Sequence, residues 1–417
     1  MRTLFLAVLF VPAAMALGCG SGDATSGGSF PGIEYASWTG DLPAPGSLTG
    51  PVWLLGIDGA TWDLIVPMLD EGLLPNFARL LDGGAWGVLM SEDPTISPAL
   101  WATVTTGVPR RIHRVDNFLV KVPGSYDVVE AGPTDRHSPA LWERVGAAGG
   151  RSVVLSWFGS FPAEPIAGVY VSKGFDHENP GEGQVYPPDL AGLLATETVV
   201  RVPRAAVEHI GAGGLLGERL IEDARTIAFL EALVPRTDAA LVVAYLSGID
   251  VAQHVNWKHM DASYEPFPDE PPRREDLADV IPAYYQYVDL LLGRVLDAAP
   301  DNATFVVVSD HGAGPLDPAD AIHFRLEELL RRIGYTATNA DGETLWSDTT
   351  AFAISELHRE NKRIWLNLEG VEPRGIVPLD RAASAAGEIA ARLRGLETDS
   401  GAAVFDRIEV LASNDGW

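Results

Sequence analysis

The chain has one cysteine, few basic residues and a single long apolar run. Cys19 is the only cysteine among 417 residues, so no internal disulfide can form and the fold must stand on its apolar core. The 30 lysines and arginines are outnumbered by 57 aspartates and glutamates, which gives a formal net charge of −27. Because such a surface repels phosphate backbones, we do not expect nucleic acid as a sequence-read partner. A small anionic ligand stays compatible with this charge if a local metal site reverses the field.

The long apolar run lies at the N-terminus, in MRTLFLAVLFVPAAMALGC, where one arginine precedes residues 4–17. The run is too short for a comfortable membrane span and is typical of a secretory signal. Ala-Leu-Gly-Cys resembles a bacterial lipobox, in which Cys19 becomes the lipidated first residue; an ordinary signal peptide with an incidental cysteine is the alternative. We predict a signal peptide over residues 1–18 and a flexible Gly/Ser-rich tether over residues 19–48. The protein would then be an exported lipoprotein, anchored to a bacterial membrane through Cys19 and facing the periplasm or the cell surface.

Residues 49–417 show the alternation of strand and helix that is typical of an α/β fold. Buried strands are predicted at residues 52–57, 152–157, 239–246 and 303–310, and helices at residues 138–149, 218–234 and 284–299. Continuous Val, Ile and Leu runs separated by helices indicate a mostly parallel central sheet with helices on both faces. Ligands bind such sheets beyond the carboxyl ends of the strands. Segments 174–190 and 258–276 are rich in Pro, Gly and charge, and they predict cap loops inserted over one face.

Carboxylates follow three of these strands: Asp58 after VWLLGI, Asp250 after YLSGI, and Asp310 after FVVVS. DVAQH places His254 four residues after Asp250, and SDHG places His311 next to Asp310. Gathered at one sheet edge, the carboxylates would repel one another unless a divalent cation lay between them. Mixed Asp and His ligands suit zinc or manganese. Taken singly, each residue is more typical of a turn or a helix cap, but the joint pattern favours a metal site.

Ser97 precedes Pro98 in DPTISPALWATVTTG, a segment that predicts a helix starting near these two residues. The N-terminus of a helix favours an anion, because its backbone N–H groups and its dipole present positive charge. A metal-bound serine hydroxyl at this place is an activated nucleophile. A plain N-cap is the alternative role for Ser97, and the neighbouring metal pattern favours the nucleophile.

Four segments together resemble the type I phosphodiesterase/nucleotide pyrophosphatase branch of the alkaline phosphatase superfamily. They are GIDGATWD, PTISPALWATVTTGVPRRIH, YLSGIDVAQHVNW and VVVSDHGAG. RIWLNLEGVEPRGIV, at residues 363–377, also resembles a strand and turn of bacterial members. The resemblance runs over about residues 51–411. It implies an alkaline-phosphatase-like three-layer sandwich for a hydrolase domain over residues 49–417.

The resemblance implies a site with two divalent metal ions, for which zinc is the best match and manganese the alternative. Six residues match the ligands of the two sites: Asp58, Ser97, Asp310 and His311 for the site that holds the nucleophile, and Asp250 with His254 for the other. The implied reaction is in-line attack by Ser97 on the phosphorus of a small phosphorylated substrate, after which water releases the phospho-enzyme. A phosphodiester is favoured over a monoester, because monoesterases of the superfamily tend to use an arginine clamp.

Two positions depart from the family pattern. The site of Asp250 and His254 normally takes a further histidine well downstream of SDHG, and the chain reaches VLASNDGW about where that segment is expected. We therefore expect the domain to lack its C-terminal segment. Leu100 stands where the nucleotide pyrophosphatases usually carry an asparagine that contacts phosphate, so a nucleotide substrate is not implied. Phosphonate hydrolysis on the same site stays open, as does a lipid-anchored binding protein with an incomplete metal site and no turnover.

Overall fold

A computed structural model describes residues 4–6, 8–9, 50–82, 84–197, 200–211, 213–264, 271–315, 325–354, 363–398, 401–405, 407–408 and 410. The chain divides into two compact units: the first contains residues 1–118 and 131–318, and the second contains residues 119–130 and 319–417. Cys19, the tether and most of the proposed signal peptide lie outside the described residues. These assignments, and the single domain over residues 49–417, stay predictions. No described helix is long and apolar enough to span a membrane.

A mostly parallel sheet forms the centre of the first unit. In spatial order its strands are β10 (Val185–Tyr186), β9 (Gly168–Val171), β8 (Ser152–Leu155), β11 (Leu241–Leu246), β3 (Val52–Ile57), β12 (Thr304–Val308), β1 (Leu4–Leu6) and β4 (Gly84–Ala85). Each neighbouring pair is parallel except β9 with β10. The four strands predicted from the sequence are confirmed as β3, β8, β11 and β12, and they are adjacent in the sheet.

Helices connect the strands of the first unit. They are α1 (Trp62–Asp70), α2 (Pro75–Leu81), α3 (Ser97–Thr106), α4 (Arg110–His113), α5 (Leu141–Ala147), α6 (Ala191–Glu197), α7 (Arg204–Ile210), α8 (Gly214–Leu233), α9 (Gly248–Met260) and α10 (Val280–Ala298). The three helices predicted from the sequence are confirmed as α5, α8 and α10. Two short strands, β2 (Val8–Leu9) and β5 (Val88–Leu89), pair in parallel outside the central sheet.

Side chains of the central strands alternate between two separate cores, one on each face of the sheet. Leu55 of β3 belongs to a core that includes residues of α8, α9 and α10. Leu54, one residue earlier, belongs to a second core with Trp101 of α3 and Trp142 of α5. Each large apolar side chain buried in this way stabilises the fold by about 1.5–3 kcal/mol. The α/β sandwich of three layers, with helices on both faces of a mostly parallel sheet, is therefore confirmed.

The second unit contains two antiparallel strand pairs and two helices among its described residues. They are β6 (Leu119–Lys121) with β7 (Val128–Glu130), β13 (Ala351–Phe352) with β14 (Trp365–Leu366), α11 (Leu326–Arg332) and α12 (Ala382–Arg394). Asn367 Nδ2 lies 2.9, 2.9 and 3.0 Å from the carbonyl oxygens of Trp346, Thr349 and Arg374. These contacts close the strand and turn predicted at residues 363–377.

The insertion predicted at residues 174–190 is a loop that returns to the sheet. Gln184 Oε1 accepts hydrogen bonds from the backbone N–H groups of Asp176 (3.1 Å) and Gly181 (3.0 Å). The chain then forms the edge strand β10, which sequence patterning did not predict. The second predicted insertion, at residues 258–276, begins inside the last turn of α9, and its residues 265–270 lie outside the described part of the chain.

Asp223 of α8 fixes the start of α9. Its buried carboxylate accepts hydrogen bonds from the backbone N–H groups of Ser247 (3.1 Å) and Gly248 (3.2 Å) and from the hydroxyl of Tyr284 (3.1 Å). The first N–H groups of a helix have no partner inside the helix, so an acceptor at this place satisfies them. Asp223 therefore holds in position the helix that carries Asp250 and its neighbours.

The stability that Asp223 contributes should depend on pH. Burial raises the pKa of Asp223 to about 7, whereas the unfolded chain releases this proton at about pH 4. Binding of this proton stabilises the folded state fully below about pH 4. The stabilisation is lost as the pH rises through the folded-state pKa of about 7. Asp223→Asn should be less stable than the wild type, because an NH2 group replaces one of the two oxygens that accept these hydrogen bonds. The difference in the free energy of unfolding between the wild type and Asp223→Asn, measured by urea unfolding, should be smaller at about pH 8 than at about pH 5. A difference independent of pH would contradict this account.

Candidate metal centre

The carboxyl ends of β3 and β12 meet at one edge of the sheet and bring three predicted ligands together. Asp58 follows β3, and Asp310 with His311 follows β12, its neighbour in the sheet. Ligand atoms of the three residues lie within 4.8 Å of one another. His311 Nε2 is 3.4 Å from Asp58 Oδ1 and 3.6 Å from Asp310 Oδ2. Ligands at about 2.1 Å from a tetrahedral zinc lie roughly 3.4 Å apart, so these spacings suit atoms that share one cation.

Charge in this cluster is poorly solvated. Burial, reinforced by the charge of Asp250, raises the pKa of Asp58 above its usual value. Burial and the neighbouring Asp58 raise the pKa of Asp310 well above its usual value. Burial disfavours the charged form of His311, but the attraction of Asp310, Asp58 and Asp250 outweighs it and raises its pKa to about 10. Without a cation, the cluster therefore holds protons that a divalent metal would displace.

The hydrogen bonds around the cluster leave one face of each ligand without a donor. Asp58 Oδ2 accepts hydrogen bonds from Trp101 Nε1 (3.1 Å) and from the hydroxyl of Tyr245. Asp310 Oδ1 accepts from the backbone N–H of Gly59 at 3.4 Å. Within the described part of the chain, the buried atoms Asp58 Oδ1 and Asp310 Oδ2 accept no hydrogen bond, and His311 Nε2 lies 3.4 and 3.6 Å from them. Buried carboxylate oxygens without donors fit a metal ion, because leaving them unpaired is costly.

The Nε2 atom of His311 is available to bind a cation between Asp58 and Asp310. Its Nδ1 lies 2.8 Å from the carbonyl oxygen of Gly312, which can only accept, so Nδ1 carries the proton. Nε2 is then free to offer its lone pair to a cation, an arrangement common in metal-bound histidines. The residues present therefore fit a divalent cation held by Asp58, Asp310 and His311.

Ser97 stands beside this cluster. It is the first residue of α3, with Ile96 as the N-cap and Pro98 in the first turn, so the alternative role of Ser97 as N-cap does not hold. The hydroxyl oxygen lies 3.3 Å from His311 Nε2. Ser97 is thus presented to the cluster by the start of a helix, as the sequence predicts, and its role as nucleophile stays a prediction.

Asp250 and His254 form a pair at the border of the cluster. Both lie on α9, where a spacing of four residues puts them on one face, and His254 Nε2 is 3.3 Å from Asp250 Oδ1. The same Asp250 oxygen is 4.0 Å from His311 Nε2. Burial raises the pKa of Asp250, but the hydrogen bond to His254 and the positive charge of His254 outweigh this effect, so the pKa is lowered overall. The side chain of His254 is 76% exposed, so this pair opens towards solvent.

Gly59 lets α9 approach the turn after β3. Its φ of +67° lies in the left-handed region, and a Cβ there would come within 2.9 Å of Asp250 Oδ1. Its carbonyl oxygen accepts a hydrogen bond from Gln253 Nε2 at 2.7 Å. Gln253 Oε1 accepts in turn from the hydroxyl of Tyr285, which itself accepts from the N–H of Thr61. This chain of hydrogen bonds ties the turn that carries Asp58 to the helix that carries Asp250.

Sequence reasoning missed the residues that orient the ligands. Trp101 lies one helical turn after Ser97, and Gly56 makes room for it, since a Cβ there would lie 2.8 Å from the indole ring. Tyr245 is a polar-tipped residue inside an apolar strand run, and Gln253 lies between the two predicted ligands in DVAQH. These are weak signals, because each residue is equally compatible with core packing. The further histidines after SDHG, His323 and His358, lie outside the described residues.

The chain resembles solved structures at low sequence identity. Two crystal structures of phosphonoacetate hydrolase from Sinorhizobium meliloti 1021, with phosphonoformate and with phosphonoacetate, are each 18% identical to this chain. Each alignment covers 84% of this chain and 73% of the other, with TM-scores of 0.49 and 0.47 respectively. No curated protein matches the chain.

A family model decides the wider assignment. Residues 52–409 match the model of the type I phosphodiesterases and nucleotide pyrophosphatases, which is most of the chain and includes all six predicted site residues. The chain therefore belongs to the type I phosphodiesterase/nucleotide pyrophosphatase family of the alkaline phosphatase superfamily, and it is a metal-dependent hydrolase of phosphoric ester bonds.

Proposed function

We propose that the chain is a phosphodiesterase that uses Ser97 as its nucleophile and two divalent cations as cofactors. One observation carries the proposal: the Ser97 hydroxyl lies 3.3 Å from His311 Nε2, in the cluster where buried oxygens of Asp58 and Asp310 have no donor. A nucleophile at the border of a metal-ligand cluster suits metal-assisted hydrolysis of an ester at phosphorus. Family membership supports the reaction class.

Each cation would have its own set of ligands. The first would be held by Asp58, Ser97, Asp310 and His311, and the second by Asp250 with His254. Carboxylate and imidazole ligands support zinc first and manganese second. When bound, the cations favour the deprotonated form of the serine and offset negative charge on the phosphoryl oxygens.

The residues of the chain have separate roles in the reaction. The Ser97 oxygen forms a bond to phosphorus while the bond from phosphorus to the leaving alcohol oxygen breaks. Water then hydrolyses the phosphoserine, and the solvent-facing side of the Asp250 and His254 pair gives it access. Trp101 and Tyr245 hold Asp58 by one oxygen and thereby aim the other at the cation.

The substrate we propose is a small phosphodiester. A monoester carries an extra charge that an arginine clamp commonly binds, but the Arg110 guanidinium donates to the carbonyl oxygen of Pro94, and Arg111 is exposed. Leu100 offers no polar atom where the nucleotide pyrophosphatases carry asparagine, so we do not extend the proposal to nucleotides. A binding protein without turnover is not favoured by the family, and it becomes one outcome of the tests below.

Removing the nucleophile should abolish turnover. Ser97→Ala should lower kcat/KM for bis(p-nitrophenyl) phosphate by at least about 10³-fold, because no other oxygen replaces the attacking group. The release of p-nitrophenolate by zinc-loaded and manganese-loaded protein measures this. Ser384→Ala, an exposed serine of α12, is the matched control and should keep wild-type activity. Equal activity of Ser97→Ala and the wild type would overturn the assigned nucleophile, and an inactive wild type would favour the binding protein.

A matched pair of glycine substitutions should test whether the close approach of Gly59 to Asp250 supports metal binding. Gly59→Ala puts a methyl group within 2.9 Å of the Asp250 carboxylate, so we expect a measurable loss of metal per chain, measured by inductively coupled plasma mass spectrometry. Gly72→Ala is the control, because its φ of +72° carries the same backbone strain while nothing lies within 4 Å of the added methyl. Both variants should lose roughly 1 kcal/mol of stability from that strain. Equal metal content in the two variants would contradict the role of Gly59.

We also propose that the protein is exported and anchored to a membrane through Cys19. The lipobox-like Ala-Leu-Gly-Cys and the Gly/Ser-rich segment after it support this. Cys19→Ala should move the protein from the membrane fraction to the soluble fraction of a bacterial host, and the wild-type N-terminal peptide should gain the mass of a diacylglyceryl group. A wild-type protein that is soluble and unmodified would contradict the anchor.

A further inference from the structure

Lys173 lies at the same edge of the sheet as the metal centre. It follows β9, whose carboxyl end points to the same side as those of β8, β11 and β3, because these strands are parallel. Its backbone N–H donates to Ser160 Oγ at 2.7 Å, which fixes the residue in place. Its ammonium group lies 4.7 Å from the ring centre of Tyr245 and 4.9 Å from that of Phe158.

Tyr245 connects this ammonium to the metal cluster. The face of its ring lies under Lys173, and the hydroxyl at the end of the same ring donates to Asp58 Oδ2. The cation therefore sits about one phenol ring away from a predicted metal ligand. Burial lowers the pKa of Lys173, and the charge of Asp58 opposes that effect, as expected for groups this close.

Other carboxylates near Lys173 already have partners. Lys173 lines a small pocket together with Glu222, Asp223 and Tyr245. Glu222 forms an ion pair with Arg219, and Asp223 accepts from the start of α9. Among the residues that the structure describes, no hydrogen bond or ion pair joins the Lys173 ammonium to a carboxylate. Its contacts there are the two aromatic faces, which stabilise a cation only weakly compared with an anion.

The balance of charge changes when metal is bound. Without metal, Asp58 and Asp250 attract Lys173. Two divalent cations would cancel the charge of the three aspartates among their ligands and of the deprotonated Ser97, so Lys173 would no longer face a net negative centre. A half-buried cation in that position is stable only if an anion lies close to it.

We propose that Lys173 binds a second anionic group of the substrate, a carboxylate or a phosphate, next to the phosphoryl group that Ser97 attacks. This inference rests on the proposed function, and it narrows the substrates to phosphoric esters with an acidic substituent. Lys173 would be a specificity-determining residue, because it recognises a group that is not attacked.

Calorimetry with two ligands tests the proposal on the metal-loaded full chain. Ethylphosphonate carries only the phosphonate group, and 3-phosphonopropionate adds a carboxylate. The wild type should bind the second ligand about tenfold more tightly, because of one charge-assisted contact. Lys173→Met and Lys173→Gln should each lose this preference, and Lys173→Arg should keep most of it. Lys258→Met, which removes a lysine from the last turn of α9, is the matched control and should keep the full preference.

Two results would overturn the proposal. Loss of affinity for both ligands by the same factor in Lys173→Met and Lys173→Gln would mean that the lysine acts on the shared phosphonate or on the metal cluster. An unchanged preference in both variants would mean that the lysine contacts no ligand. Hydrolysis of bis(p-nitrophenyl) phosphate by the wild type, with no acidic substituent present, tests the proposed function separately from this inference.

Discussion

Repulsion among carboxylates at one edge of a parallel sheet governs the design of this molecule. Asp58 and Asp310 are buried side by side because β3 and β12 are neighbours, and Asp250 approaches them at the start of α9. Burial makes that repulsion expensive, and two of the buried carboxylate oxygens also accept no hydrogen bond. A divalent cation reverses the sign of the interaction. The arrangement is therefore costly to fold around and favourable once metal is present, which is the expected trade between stability and function.

The layers around the sheet give this edge its rigidity. Trp101, buried in the core on one face, reaches up to Asp58 through the space that Gly56 leaves. On the other face, Asp223 holds the first N–H groups of α9, and Gln253 with Tyr285 ties that helix to the turn after β3. Ligands of both proposed cations are thus oriented by groups that belong to the two cores. A metal site needs this support, because small errors in ligand position cost affinity and rate.

The acidic surface and the chemistry of the site are compatible because the field is local. A net charge of −27 opposes the approach of an anionic ester at long range. Bound cations and Lys173 act at short range, where screening by salt and by water is weaker. Association with substrate would then depend on contacts made inside the pocket. Lys173 lies beside the metal centre, where the bound cations would cancel the negative charge of their ligands and leave the lysine able to attract an anion.

The sequence by itself determined the sheet, the two faces of helices and the six candidate ligands. Local patterns can be read directly from a sequence. They include the continuous apolar runs and the positions of Asp58, Asp310 and His311 at strand ends. The order of the strands, and with it the 3.4 Å approach of Asp58 to His311, depends on contacts between residues more than 250 positions apart. Only tertiary structure could decide that, and it alone selected Tyr245, Trp101, Asp223 and Lys173. Residues of these types also occur in cores and on surfaces without a functional role. Their roles here depend on the residues that lie beside them in the folded protein.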